Sequence, residues 1–278
     1  MTEKISIITA IHNGINFNKI YLASIQRNTC NPYELIIIDN CSTDGSSALF
    51  KNAGAIVIEN TRNYSYPHCQ NQGIKAATGS YLFFLNNDLV VSPDWNKRLI
   101  EIAQFHRLDL ISAKGIENMG DKKLDKKFKK RWKTTKNLLM IFGFGENNLS
   151  LMHKVMYGNW ERFCEKQYTQ YGTTVVEGIL GNNVMITRKA IDKIGFWDER
   201  IQSGDFDLFM RTKKYSLEYG DIKPCHVALG VYIHHFIRMT SKYGKKKPTP
   251  FADKDSLISL WDKWNEQEIA LYGLPENK

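Results

Sequence analysis

Tyr81-Leu-Phe-Phe-Leu-Asn86-Asn87-Asp88 is the stretch on which the fold turns. An unbroken apolar run of strand length stops abruptly in two amides and a carboxylate. A run without alternation belongs to a strand covered on both faces, as in parallel sheets. Moving upstream, residues 70–77 carry a helical pattern closed by Gly79. Before them come apolar strand-like runs at Ile5–Ile11, 35–39 and 55–59, with a helix over 18–27 and a short one after the turn Ser42-Thr-Asp-Gly-Ser46. Downstream, a helix over about 94–105 and a strand over 108–113 follow. This β-α-β-α rhythm predicts an α/β fold, a Rossmann-like and mostly parallel central sheet with helices on both faces. Its ligand site belongs beyond the carboxyl ends of the strands, where Asp39 and Asp88 fall.

From residue 117 to about 170 the rhythm breaks into basic, aromatic sequence, which reads as an irregular insertion or loop region. It returns at 175–187, with a short helix at 189–194, a helix at 207–215, a strand at 227–233 and a tail helix over 256–271. The expected organisation is one α/β domain over residues 1–240, with 117–170 inserted, and a C-terminal basic loop and helix over 241–278.

The chain has 278 residues, 42% hydrophobic and 24% charged, with a formal net charge of +9. Those values suit a globular protein with a sizeable core and exclude whole-chain disorder, collagen and a disulfide miniprotein. The charge is concentrated. Residues 122–136 hold nine basic residues and one acid, and Lys242, Lys245, Lys246 and Lys247 form a second cluster. These contribute +8 and +4, which leaves the rest of the chain at −3 of the total +9. A DNA-binding fold that is basic throughout does not fit. The five cysteines are widely spaced, with no C-x-x-C, so neither a disulfide framework nor a zinc site is expected and a reducing cytosol is the natural compartment. Met1 to Lys4 lead straight into a short strand-like run, so no secretory leader is expected, and no run of 18 apolar residues is present.

Four places offer chemistry. Asp39, at a strand end before a turn-rich segment, suits hydrogen bonds from a ribose or base, or simply a local turn. Asn86-Asn87-Asp88 supplies hard oxygen ligands for Mg²⁺ or Mn²⁺ on a diphosphate, or a polar helix cap. Gly204-Asp205-Phe206-Asp207 opens a helix, so at most one of the two acids faces a substrate as a general base. Arg211, four residues on, makes Asp207 the structural one. His234-His235 ends a strand, and alternation lets only one imidazole reach a given site. No dinucleotide fingerprint, P-loop or nucleophile elbow is present.

Taken in order, these motifs resemble the family 2 glycosyltransferases of GT-A fold, most closely a rhamnosyltransferase-like branch. The resemblance rests on Ser6 to Asn13, on Ile36-Ile-Ile-Asp39-Asn40-Cys-Ser42-Thr-Asp44-Gly45-Ser46, and on Asn71-Gln-Gly73 through Asp88. It continues through Glu177-Gly-Ile-Leu-Gly181-Asn-Asn to Glu199 and through Gly204-Asp205-Phe-Asp207 to Arg211. It spans roughly residues 4–113 and 175–235. The resemblance implies an inverting transfer of a sugar from a UDP- or dTDP-linked donor to a hydroxyl of a glycan or lipid-linked acceptor. Thr9, Ala10, Asn13, Asp39, Asn40, Asn71, Asn86 and Asn87 would line the nucleotide. Asp88 would be the metal-binding acid of the D-x-D motif, with Asn86 in place of its first acid. Asp205 would be the base, although Gly204 replaces the usual Glu. His234, preferred over His235, would reach the Mn²⁺ or Mg²⁺ or the diphosphate. Gly181, Asp207 and His235 would be acceptor-side or secondary residues. The rival readings are a nucleotidyltransferase and a basic nucleic-acid- or membrane-binding module. No specific nucleic acid is expected. The polybasic 122–136 segment, followed by Leu138-Leu-Met-Ile-Phe142, suits either peripheral contact with an anionic membrane, at its inner face, or a solvated loop.

Overall fold

The computed structural model describes residues 3–118, 120–239 and 249–274. The late lysine cluster, Lys242 and Lys245 to Lys247, lies outside the described residues. The first half runs β1 (Ile5–Ile11), α1 (Ile15–Asn28), β2 (Tyr33–Asn40), α2 (Ser46–Asn52), β3 (Ile56–Asn60), α3 (Tyr66–Ala76), β4 (Tyr81–Leu85), β5 (Leu89–Val91), α4 (Trp95–His106) and β6 (Leu110–Lys114). The second runs α5 (Lys122–Leu139), α6 (Glu146–Tyr157), α7 (Trp160–Tyr171), β7 (Val175–Glu177), β8 (Asn183–Thr187), α8 (Arg188–Ile194), α9 (Gly204–Tyr219), β9 (His226–His235), α10 (Leu260–Lys263) and α11 (Glu266–Tyr272).

The expected α/β architecture is observed. The strands lie in the order β3-β2-β1-β4-β8-β6-β9-β5, with β7 on β9. β1, β2, β3 and β4 pair in parallel, as do β6 and β9, and these ladders hold most of the paired residues. The sheet is nonetheless mixed, because β8 runs antiparallel between β4 and β6. Burial on both faces explains the apolar runs. Ile5 and Ile7 of β1 and Ile37 of β2 pack beneath α1 and α4. Ile8, Ile36 and Ile38 face α3, α8 and α9 instead. Gly73 lets α3 approach β1 closely: a Cβ there would lie 2.2 Å from Ile8 Cγ2.

Three expectations need correction. Residues 117–170 are largely helical rather than irregular, because α5 to α7 enclose their own apolar cluster with β9, including Trp132, Met152, Met156 and Tyr232. The tail is not one helix. A short turn and two helices, α10 and α11, form there, each with a side-chain capping box that restarts the chain. The three-residue strand β5 is additional to the expected set, and it matters for the site.

Candidate active site

The parallel strands β1, β2 and β4 end along one edge, and a cleft of about 450 Å³ opens beyond β4. Asn86, Glu117, Gly181, Asn182, Asp205 and His235 line it, with Tyr66 and Gln202 at its side. Beyond β1 and β2 the loops are braced against each other. The Asp39 carboxylate accepts from the Ser42 amide (3.0 Å), Ser42 Oγ accepts from the Asn13 amide (2.8 Å), and Asn13 Oδ1 accepts from the Thr43 amide (2.8 Å). Asp44 accepts from the Ile15 amide (2.8 Å) and so joins the starts of α1 and α2.

The expected nucleotide residues divide. Asp39 and Asn13 shape this loop pair, Ala10 is half-buried at the end of β1, and Asn86 lines the cleft. Others are occupied internally. Thr9 bonds Tyr21 (2.6 Å). The Asn40 amide donates to Asn63 and to the Tyr64 carbonyl. Asn71 donates to the Trp197 carbonyl and to Glu199 (both 2.9 Å), and Asn87 donates to Asn18 (2.7 Å). These four side chains brace the walls of the site.

β5 decides the histidines. It pairs antiparallel with the end of β9, placing Leu89 opposite His235 and Val90 opposite His234, and the Phe236 amide bonds the Asp88 carbonyl (3.0 Å). His235 Nε2 thereby comes within 3.3 Å of Asp88 Oδ1, while its Nδ1 donates to Glu117. Burial opposes charge on this ring, but Asp88 and Glu117 outweigh it and lift its pKa to about 10. His234 faces the other way. It is fully buried among Trp132, His153, Tyr157 and Phe236, its Nδ1 bonds the Tyr157 hydroxyl (2.9 Å), and burial pushes its pKa well down. The expectation that His234 reaches the cleft is therefore corrected. Strand alternation sends His235 there.

Asp205 opens α9, and burial raises its carboxyl above the ordinary range against the opposing pull of backbone amides. Gly181 makes room for it: a Cβ on residue 181 would lie 2.0 Å from Asp205 Oδ2. Asp207 is turned inward, fully buried, and holds Arg211 (2.8 Å), Lys263 (2.6 Å) and the Trp264 indole (2.9 Å). Glu117 and Asn182 are among the cleft residues that the sequence did not single out. Glu117 accepts from His235 and from Asn182 (3.1 Å), and its Oε2 is buried without a hydrogen-bond partner among the described residues. Their position against β9 carried no local sequence signal, since it depends on which strand neighbours β6.

The cleft thus lies at the strand ends of a mixed, mostly parallel α/β sheet, the architecture of GT-A transferases, and brings Asp205 and His235 into one lining. The model of the glycosyl transferase family 2 matches residues 6–195, and the chain belongs to that family. It is 28% identical over 127 residues to the uncharacterized glycosyltransferase EpsJ of Bacillus subtilis, covering 44% of this chain and 37% of EpsJ. The mannosyltransferase PcManGT of Pyrobaculum calidifontis, solved with GDP-Man and Mn²⁺, superposes with a TM-score of 0.52 at 14% identity, over 82% of this chain and 57% of that one. S. aureus TarS 1–349, solved with UDP, gives 0.53 at 14% identity, over 83% and 60%. The chain thus spans about a third of EpsJ and under two thirds of either solved chain.

Proposed function

We propose that the protein transfers a sugar from a nucleotide-diphosphate donor to an acceptor hydroxyl with inversion, and that Asp205 is the base. The observation that carries this reading is one cleft that holds the half-buried Asp205 carboxylate, packed against Gly181, together with the Asp88–His235–Glu117 cluster. UDP and GDP-Man in the solved relatives support a nucleoside-diphosphate leaving group, and the motif order favours a UDP- or dTDP-linked hexose or deoxyhexose. A glycan or lipid-linked hydroxyl is the acceptor.

The residues fit a divalent cation. Asp88 and His235 would be the ligands, the cation displacing the proton of His235 Nε2, and Glu117 Oε2 has no hydrogen-bond partner among the described residues. Among the described residues no group of three or more His, Cys, Asp or Glu forms a preformed metal cage. Mn²⁺ or Mg²⁺ would therefore be held by Asp88 and His235 together with oxygens of the donor diphosphate. When bound, the cation neutralises charge on the departing nucleoside diphosphate. Asp205 accepts the acceptor's hydroxyl proton as that oxygen attacks the anomeric carbon, and its raised pKa brings it nearer the working pH of a base. Asn13 and Asp39 brace the loops that receive the base and ribose.

Incubation with a panel of sugar nucleotides, with and without EDTA, tests the proposal through release of nucleoside diphosphate. Metal-dependent release with one donor is expected, and Asp205→Asn should lose transfer while still binding the nucleotide. Release of pyrophosphate would favour a nucleotidyltransferase, and near-normal turnover in Asp205→Asn would remove it as base.

A further inference from the structure

We infer that the outer face of α5, with the apolar turn after it, is a seat for an anionic phospholipid bilayer. The inference stands apart from the chemistry of the cleft. α5 has a clear inner stripe: Leu124, Phe128, Trp132 and Leu139 pack into the apolar cluster shared with α6, α7 and β9. The opposite side carries Lys123, Lys126, Lys127, Lys129, Lys130 and Lys133, all exposed. None of these six forms an ion pair with an acid among the described residues. Asp125, the segment's one acid, is half-buried and close enough to act on the charge of Lys114. A dense, unneutralised cation field is therefore held on a rigid helix.

The second feature is apolar. α5 runs into a tight turn at Met140–Phe142 that leaves Leu138 (65%), Ile141 (79%) and Phe142 (69%) exposed. Beside it, a groove of about 630 Å³ between α5 and α6 is floored by Leu138, Leu139 and Val155 and edged by Lys127 and Lys130. Lysines beside protruding aliphatic and aromatic groups are the arrangement of an interfacial helix, whose cations meet headgroup phosphates while its apolar side chains enter the acyl boundary. Nucleic acid would answer the lysines but leave Ile141 and Phe142 in water. A second copy would bring like charges together. No helix among the described residues is long and apolar enough to cross a membrane, so the contact is one of lying on the surface. α5 is fastened to the end of β9 that bears His235, since Trp132 packs on His234 and Phe236. The seat therefore flanks the cleft.

Co-sedimentation of the full chain with vesicles tests this. Vesicles containing phosphatidylglycerol should bind it, and phosphatidylcholine alone should not. Each basic residue near such a surface contributes about fivefold in binding. Lys126→Glu with Lys130→Glu should therefore cut partitioning roughly a hundredfold or more. Ile141→Ser with Phe142→Ser should weaken binding while keeping its salt dependence. All four positions are exposed, and unchanged melting temperatures would show that the variants fold. Binding that ignores lipid charge, or no vesicle binding at all, overturns the inference. So does RNA binding tighter than vesicle binding and lost in the lysine variant. So, too, does a dimer in sedimentation velocity that the Ile141 and Phe142 substitutions dissolve without any effect of lipid.

Discussion

At the scale of single residues, Asp205 and Glu117 carry opposite lessons. Asp205 was legible in the sequence because it opens a helix within an ordered motif. Its environment was not, because burial depends on Gly181 from a distant segment. Burial raises its folded pKa above the unfolded value, so its contribution to stability is complete below the unfolded carboxylate range, near pH 4, and is lost as pH rises through the folded value. Above the folded value the ionised carboxylate therefore works against the fold. Asp205→Asn should raise the melting temperature at pH 7.5, with the gap closing towards pH 4, while transfer is lost. In the wild-type enzyme, kcat/KM should fall on the acid side at a pH above the ordinary carboxylate range, the opposite sign from a base stabilised by a cation. Glu117 bonds His235, so in the proposed site it would act through that ring as a positioning residue. Carboxylates behind a ligating imidazole typically contribute 10–100-fold in metal affinity. Glu117→Ala should weaken Mn²⁺ binding by about that factor in the presence of UDP, read by titration, with Glu117→Gln retaining more. A loss of rate that saturating Mn²⁺ does not restore would argue against positioning.

Elements show where pattern reading works and where it fails. β1 and β4 were legible to the residue because a strand buried on both faces leaves an apolar run between polar turns. β5 was not, because three residues carry no period, yet its pairing with β9 selects His235 over His234. α5 had a readable stripe at Leu124, Phe128, Trp132 and Leu139, but the dense lysines between those positions read as a loop. The tail departs from its pattern for a different reason: its apolar residues serve two short helices fixed by tertiary contacts. Asp207 anchors Lys263 and Trp264 of this tail to α9. Breaking a buried ion-pair network by removing one partner costs about 3–5 kcal/mol. Asp207→Ala should therefore lower unfolding free energy by about that amount in urea titrations, while nucleotide affinity in the folded fraction stays unchanged. A small stability effect with a large loss of nucleotide binding would reverse the assignment and make Asp207 a site residue.

Across the whole molecule, charge is sorted by depth. The cleft groups Asp88, Glu117, Asp205 and His235 are buried or half-buried, whereas the α5 lysines are exposed. Salt acts differently on the two. The Debye length falls from about 10 Å at 0.1 M to about 3 Å at 1 M, which screens exposed charges strongly and buried pairs much less. The net charge read from the sequence hides this division, because a formal +9 describes neither the slightly acidic remainder nor the basic helix. One ionic-strength series should therefore separate two activities in the same sample. Vesicle association should fall steeply with salt. Metal-dependent nucleoside diphosphate release without acceptor should change by no more than about twofold, because the proposed site places metal and diphosphate within the cleft. Lys126→Glu with Lys130→Glu should leave that release unchanged at every salt concentration. If donor turnover instead tracked vesicle association through the series, the α5 lysines would be part of the donor site, and the division between an acidic catalytic body and a basic seat would fail.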